Sequence, residues 1–144
     1  MHCNIVILLF TIFLSNNLIV LGQDDWNKLT VIGNSTGESE LSKQQLKDVF
    51  LGNLENWSTG NSVVVVLPSS DYLNADEITS VVVDKNLNSL RRYWLGLVFQ
   101  GRVNPPIYQS TNEKIINYIK KVPGSIGILL NYDGPEIVTE IQIK

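Results

Sequence analysis

The side chains that usually carry catalysis or bind metal are almost missing from this chain of 144 residues, whose one His and one Cys are His2 and Cys3. A Ser-His-Asp or Cys-His arrangement needs an imidazole positioned by the fold, and a zinc site needs several His or Cys ligands. Beyond residue 3 the chain can supply neither. There is no Gly-x-x-x-x-Gly-Lys-Ser/Thr loop and no Gly-x-Gly-x-x-Gly after the first expected strand, so the usual phosphate cradles of nucleotide cofactors are absent. No cofactor and no metal are expected. Carboxylates remain: Glu38 with Glu40, and Asp76 with Glu77. Acids so placed near helix starts favour the positive end of the helix dipole, and a carboxylate hydrolase is the weakest of the functional readings.

Two places could hold an anion. One is Ser69-Ser70-Asp71, hydroxyls and amides following a valine-rich segment; the other is Ser110-Thr111, before an apolar helical pattern. Helix N-termini present free N–H groups and a positive dipole end, which suit an oxyanion. Ordinary helix capping explains the same residue types, and the residues alone favour it. Arg91, Arg92 and Arg102 could add positive charge, while Trp57, Tyr93, Trp94 and Phe99 read as core aromatics. Asn34-Ser35-Thr36 and Asn56-Trp57-Ser58 match the glycosylation triplet, a common pattern.

The elements that would position these residues follow from periodicity and punctuation. Trp26–Gly33 reads as a first strand. Ser42 and Gln45 form a capping box with Leu41 and Leu46 as its hydrophobic staple. That helix should end near Leu51, with Gly52 beyond it. Ser62–Leu67 contains four consecutive valines, a strand buried on both faces that Pro68 should stop. Asn74 with Glu77 would open a helix running to Asp84, and Asn88 a third helix with Leu90, Tyr93, Trp94, Leu97 and Val98 on one face. Gln100–Pro106 reads as a loop. Ser110 and Glu113 form another capping box for a helix faced by Ile115, Ile116, Ile119 and Val122. Pro123-Gly124 ends it, Ser125–Leu130 is a buried strand, and Ile137–Ile143 alternates apolar with polar. The resulting order, β-α-β-α-α-α-β-β, predicts a single α/β domain.

The first residues read as an address. Ile5–Leu14 is apolar except for Thr11, and Val20 and Gly22 fit the small positions before a cleavage point. The expectation is a signal peptide over residues 1–22 and a mature domain over 23–144. The n-region lacks Lys and Arg, and an uncleaved anchor over Ile5–Leu21 is the alternative, opposed by Asn16 and Asn17 within that span. Export would permit disulfides, but no cysteine pair exists to form one. The formal charge is −3 with a pI near 5.0. Phosphate-backbone affinity needs a concentrated basic surface, so nucleic acid is not an expected partner. With 44% hydrophobic residues and 17% charged, the chain can build a packed core.

A family resemblance begins at Leu41-Ser42 with Leu46, continues through Val49-Phe50-Leu51-Gly52, and reaches Trp57. This resembles the Leu-Ser/Thr-x-x-x-Leu-x-x-Ile/Val-Phe-x-Gly-x-x-x-x-Trp segment of the phosphate-binding proteins of ABC transporters. The strand Val63–Leu67, Tyr93-Trp94, Phe99-x-Gly101, Pro105 and Pro123-Gly124-Ser125-Ile126-Gly127 follow in order. The last is similar to that family's Pro-Gly-Ala-Ile-Gly-Tyr. The matches span roughly residues 29–130 and are nearest to the short, stand-alone members.

The resemblance implies a type 2 periplasmic-binding-protein fold, a mixed sheet flanked by helices and mainly one lobe. It also implies an exported, periplasmic or secreted, non-enzymatic solute-binding protein. The ligand would be phosphate or another small oxyanion, with a membrane or transporter protein as a further partner. Where the family has a Ser-Gly-Thr turn, this chain has Ser69-Ser70-Asp71. Only Ser69 carries over, as hydroxyl and amide donor, and Ser70, Asp71, Ser110 and Thr111 complete the candidate site. The alternative function is an accessory or sensory module that keeps the fold and binds a protein partner.

Overall fold

The computed structural model describes residues 25–135 and 139–144; the expected signal segment lies outside them. A 3-10 turn, Asp25–Lys28, leads into β1 (Leu29–Gly33), so the first strand starts three residues later than its sequence pattern implied. After β2 (Glu40–Leu41) comes α1 (Lys43–Phe50). Its capping box is complete: the Gln45 backbone N–H donates to Ser42 Oγ at 3.1 Å, and the Ser42 N–H donates to Gln45 Oε1 at 2.8 Å. Gly52 then takes φ +74 beyond the helix end, a conformation open to glycine at little cost.

The valine run forms β3 (Val64–Pro68), whose last four residues are buried. Pro68 is the final residue of the strand rather than its stop, paired with Gln109 of β4 (Ile107–Gln109). The chain continues as α2 (Ala75–Val83), α3 (Leu87–Phe99), β4, α4 (Asn112–Lys121), β5 (Ser125–Leu130), β6 (Thr139–Glu140) and β7 (Gln142–Ile143). No described helix is long and apolar enough to cross a membrane.

Three helix starts differ from their sequence patterns. Asn74 precedes α2 but adopts φ +59 and makes no side-chain cap; Glu77 instead pairs with Lys28 at 2.9 Å. Helix α3 is capped by Asn86, not Asn88, through the Ser89 N–H at 2.8 Å. The Leu87 N–H donates to Asp76 Oδ1 at 2.7 Å, which fixes the start two residues early. Thr111, not Ser110, caps α4, accepting from the Lys114 N–H at 3.2 Å.

Five strands form one mixed sheet in the order β4-β3-β5-β1-β6. Strand β5 is central and completely buried; β3 runs parallel to it and to β4, whereas β1 is antiparallel, with Leu29 opposite Leu130 and Gly33 opposite Ile126. The C-terminal alternating segment divides at buried Ile141: β6 pairs with β1 and β7 runs parallel to β2. Helix α4 packs closely on the sheet, because Gly127 leaves room for Ile115 and Ile119 where a Cβ would approach them to 2.9 and 2.8 Å.

Helices α1, α2 and α3 pack on one another in sequence. Trp94 donates its indole N–H to the Phe50 carbonyl at 3.1 Å, and the Tyr93 hydroxyl donates to Leu51 O at 2.8 Å. Trp57 and Trp94 are core residues as expected, and Tyr93 is half-buried. Phe99 is not in the core: it is 83% exposed at the end of α3. A period of 3.6 places residue 99 opposite the buried stripe of Leu90, Trp94 and Leu97.

Candidate functional site

Parallel strands end at a common edge, and β3, β4 and β5 deliver Ser69, Ser110 and Asn131 there as the first residues beyond their ends. Such carboxyl-terminal edges are where open α/β sheets bind ligands, because the following helices point their N-termini at them. The Ser69 N–H donates to Gln109 O at 2.8 Å and its carbonyl accepts from Tyr72 N–H at 3.0 Å. The backbone thus ties Ser69 both to the strand before Ser110 and to the turn before α2.

Ser69 Oγ is buried and has no hydrogen-bond partner among the described residues. Buried hydroxyls are nearly always satisfied, so an orphan at this position needs a reason. The Ser69 amide is already engaged with Gln109, which removes the amide half of the role the family resemblance implies for it; the hydroxyl alone is available.

At the same strand ends lies a cleft of about 300 Å³, lined by Tyr72, Leu73, Asn74, Ser110, Thr111, Asn112, Leu130 and Asn131, with Ser69 outside its lining. Ser110 and Thr111 therefore meet in one cleft, at the mouth of α4. Each still has an O–H to donate, since Thr111 Oγ1 accepts from Lys114 N–H and Ser110 Oγ accepts from Lys114 Nζ at 3.0 Å. Lys114 is a functional candidate that the sequence reading passed over. A cation in the first turn opposes the helix dipole, and that misplacement is the signal that could have found it.

The far wall is rigid. Asn112 donates to Leu130 O at 2.9 Å, Leu130 N–H donates to the Tyr72 hydroxyl at 3.1 Å, and that hydroxyl donates to Asn112 Oδ1. Burial pushes the Tyr72 pKa above the usual tyrosine value, opposed by the Leu130 N–H. Its phenol is a neutral fixture of the site at neutral pH.

The other two candidates part from this cleft. Ser70 lines a neighbouring cleft of about 520 Å³ together with Asp76 and Glu77, an acidic surround that repels anions. Asp71 is exposed and lines neither. Of the arginines, Arg91 lies over the Tyr108 ring at 5.5 Å, Arg92 reaches only Ser89 at 3.5 Å, and Arg102 lines a cleft with Val63–Val65 near the opposite end of β3. None lines the cleft at Ser110. A further cleft, about 600 Å³, is bordered by Glu38 and Asp48, again the wrong sign for an anion. No cluster of three or more potential metal ligands occurs among the described residues.

The mixed sheet and its flanking helices form a single α/β domain, and comparison with known proteins finds a periplasmic-binding-protein-like fold similar to it. The chain is similar to the crystal structure of an ABC-type phosphate transport receptor from Vibrio cholerae, at TM-score 0.52 and 16% identity, over 81% of this chain and 46% of that chain. At that identity the likeness establishes the fold alone. The chain spans less than half the length of the receptor it matches. No protein-family model and no curated protein matches the sequence.

Proposed function

We propose that the chain is an exported, solute-binding-like module that recognises phosphate or another small oxyanion at the shared end of β3, β4 and β5. The observation that carries this reading is Ser69 Oγ, a buried hydroxyl with no protein partner among the described residues, at the end of β3 and bonded through its backbone to the strand that leads to Ser110. In this reading Ser69, Ser110 and Thr111 donate O–H groups and Lys114 supplies the cation. Charged acceptors make the strongest use of such donors. No catalytic role is proposed, since the similar structure is a receptor.

In this surface cleft the anion stays in contact with water, and little desolvation strengthens its bonds. The expected dissociation constant is on the order of a millimolar, about −4 kcal/mol. NMR titration with phosphate and with sulfate tests it. Amide shifts should centre on Ser69, Ser110–Lys114 and Asn131, and vanish in Ser69→Ala and Thr111→Ala. Shifts confined to other surfaces, or none at high phosphate, would overturn the oxyanion reading. The partner-binding module would then be the better account.

A further inference from the structure

Between Asp84 and Glu113 the sequence contains no acidic residue, while it contains Lys85, Arg91, Arg92 and Arg102. These include every arginine of a chain whose net charge is −3. The segment builds α3 and β4, and the ion pairs among the described residues all lie elsewhere: Lys28 with Asp25 and Glu77, Lys47 with Asp84, and Lys144 with Glu40. The four cations have other neighbours. Lys85 lies over Tyr93 at 5.9 Å, Arg91 over Tyr108, Arg92 beside Ser89, and Arg102 at the rim of its cleft. Asp76 of α2, which accepts the Leu87 N–H, Glu55 across the Arg102 cleft, and Asp84 next to Lys85 lie at the margins of this segment.

Along the outer side of α3, opposite its buried stripe, stand Leu95 and Phe99, one turn apart, 55% and 83% exposed. These two apolar side chains on adjacent turns share the helix with Arg91 and Arg92, which form no ion pair among the described residues, and together they make an amphipathic outer face. We infer that the outer face of α3 docks on an anionic membrane surface, with Phe99 and Leu95 entering the headgroup–acyl boundary and Arg91 and Arg92 contacting lipid phosphates. Guanidinium groups pair with phosphate through two parallel hydrogen bonds, and a convex helical face with a short apolar ridge suits a flat, fluid partner. A second copy of the chain does not fit, because pairing α3 with α3 would bring arginines against arginines. This surface is separate from the cleft at Ser110 and stands or falls without it.

Co-sedimentation of the full chain with vesicles tests the inference, using 1:1 phosphatidylglycerol–phosphatidylcholine against phosphatidylcholine alone. The wild type should bind the anionic vesicles at least ten-fold more tightly, with the preference lost at about 1 M salt, where charges are screened within about 3 Å. Phe99→Ser with Leu95→Ser, and separately Arg91→Gln with Arg92→Gln, should each reduce that binding about ten-fold or more. All four positions are largely exposed or edge residues, and unchanged circular dichroism will confirm folding. Equal binding by wild type and both variants would assign the affinity to the apolar run of residues 5–21 and overturn the proposal. So would wild type that ignores anionic vesicles yet binds polyglutamate through the same residues, which would point to an acidic protein instead.

Discussion

A buried hydroxyl without a partner costs roughly 1–3 kcal/mol in desolvation, and Ser69 Oγ is such a group. Ser69→Ala removes the oxygen and leaves the backbone bonds to Gln109 and Tyr72 intact. Urea melts should show the variant more stable by about 1 kcal/mol, while its phosphate response disappears. A destabilised variant would mean that the hydroxyl serves the fold rather than a ligand. Ser42 has the opposite expectation, because both bonds of its capping box are formed. Ser42→Ala should cost about 1 kcal/mol in the same melts, and an unmoved midpoint would remove the box from the account of α1. Tyr72 and Tyr108 add a pH dependence. Burial raises both pKa values, with Arg91 partly opposing it at Tyr108. The folded protein therefore keeps phenolic protons that the unfolded chain releases near pH 10. Stability is complete below about pH 10 and falls as pH rises from there through the folded values. Lys28, held charged chiefly by its hydrogen bonds to Glu77 and Asp25, acts in the same direction. A urea midpoint that stayed flat from pH 9 to 11.5 would contradict this.

At the scale of elements, Gly124 shows how a turn fixes the relation of α4, β5 and β3. It has φ +83, and a Cβ there would stand 2.1 Å from Ser62 O. Its carbonyl accepts both the Val64 N–H at 3.0 Å and the Trp57 indole N–H at 2.8 Å. Gly124→Ala should therefore cost about 3 kcal/mol or more, combining strain and displaced backbone. Gly60→Ala is the control: φ is +86 but nothing lies within 4 Å, so only conformational strain of about 1 kcal/mol is expected. Equal costs would mean that the contact with Ser62 is relieved by a small shift. The Pro123-Gly124 break was legible in the sequence, as were the four helices, the valine strand and buried β5. Strands β2 and β4 were not, because two or three residues carry no period. The starts of α3 and α4 slipped by two residues and one because two cap-forming side chains stand within two residues of each other at each start, Asn86 and Asn88, and Ser110 and Thr111. Tertiary bonds choose among them: Asp76 to the Leu87 N–H for α3, and Asn112 to Leu130 for α4. The neighbourhood of Ser69, Ser110 and Thr111 was readable from strand and helix order. The capture of the Ser69 amide by Gln109, the turn of Ser70 toward Asp76 and Glu77, and the arrival of Lys114 depend on strand pairing that local sequence does not encode.

For the whole molecule, export and ligand linkage are the two measurable consequences of the proposed function. If residues 1–22 are a signal peptide, mass spectrometry of the exported protein should find a chain beginning at Gln23; full-length protein held in the membrane would refute cleavage. The linkage follows from mass action. A ligand that binds only the folded state stabilises it by RT ln(1 + [L]/Kd), about 2.7 kcal/mol at one hundred times Kd. With a dissociation constant on the order of a millimolar, about 100 mM phosphate should therefore raise the unfolding free energy by roughly 2–3 kcal/mol. Phosphate also stabilises proteins in general by exclusion from their surface, so the raw increase proves nothing. The decisive quantity is the difference between wild type and Ser69→Ala at equal phosphate, because exclusion acts on both alike. Chloride at matched ionic strength controls for screening of the −3 net charge. Wild type should gain roughly 2 kcal/mol more than Ser69→Ala from phosphate and nothing more from chloride. Equal gains in the two proteins would leave the fold intact as a periplasmic-binding-protein-like domain and take away its proposed ligand.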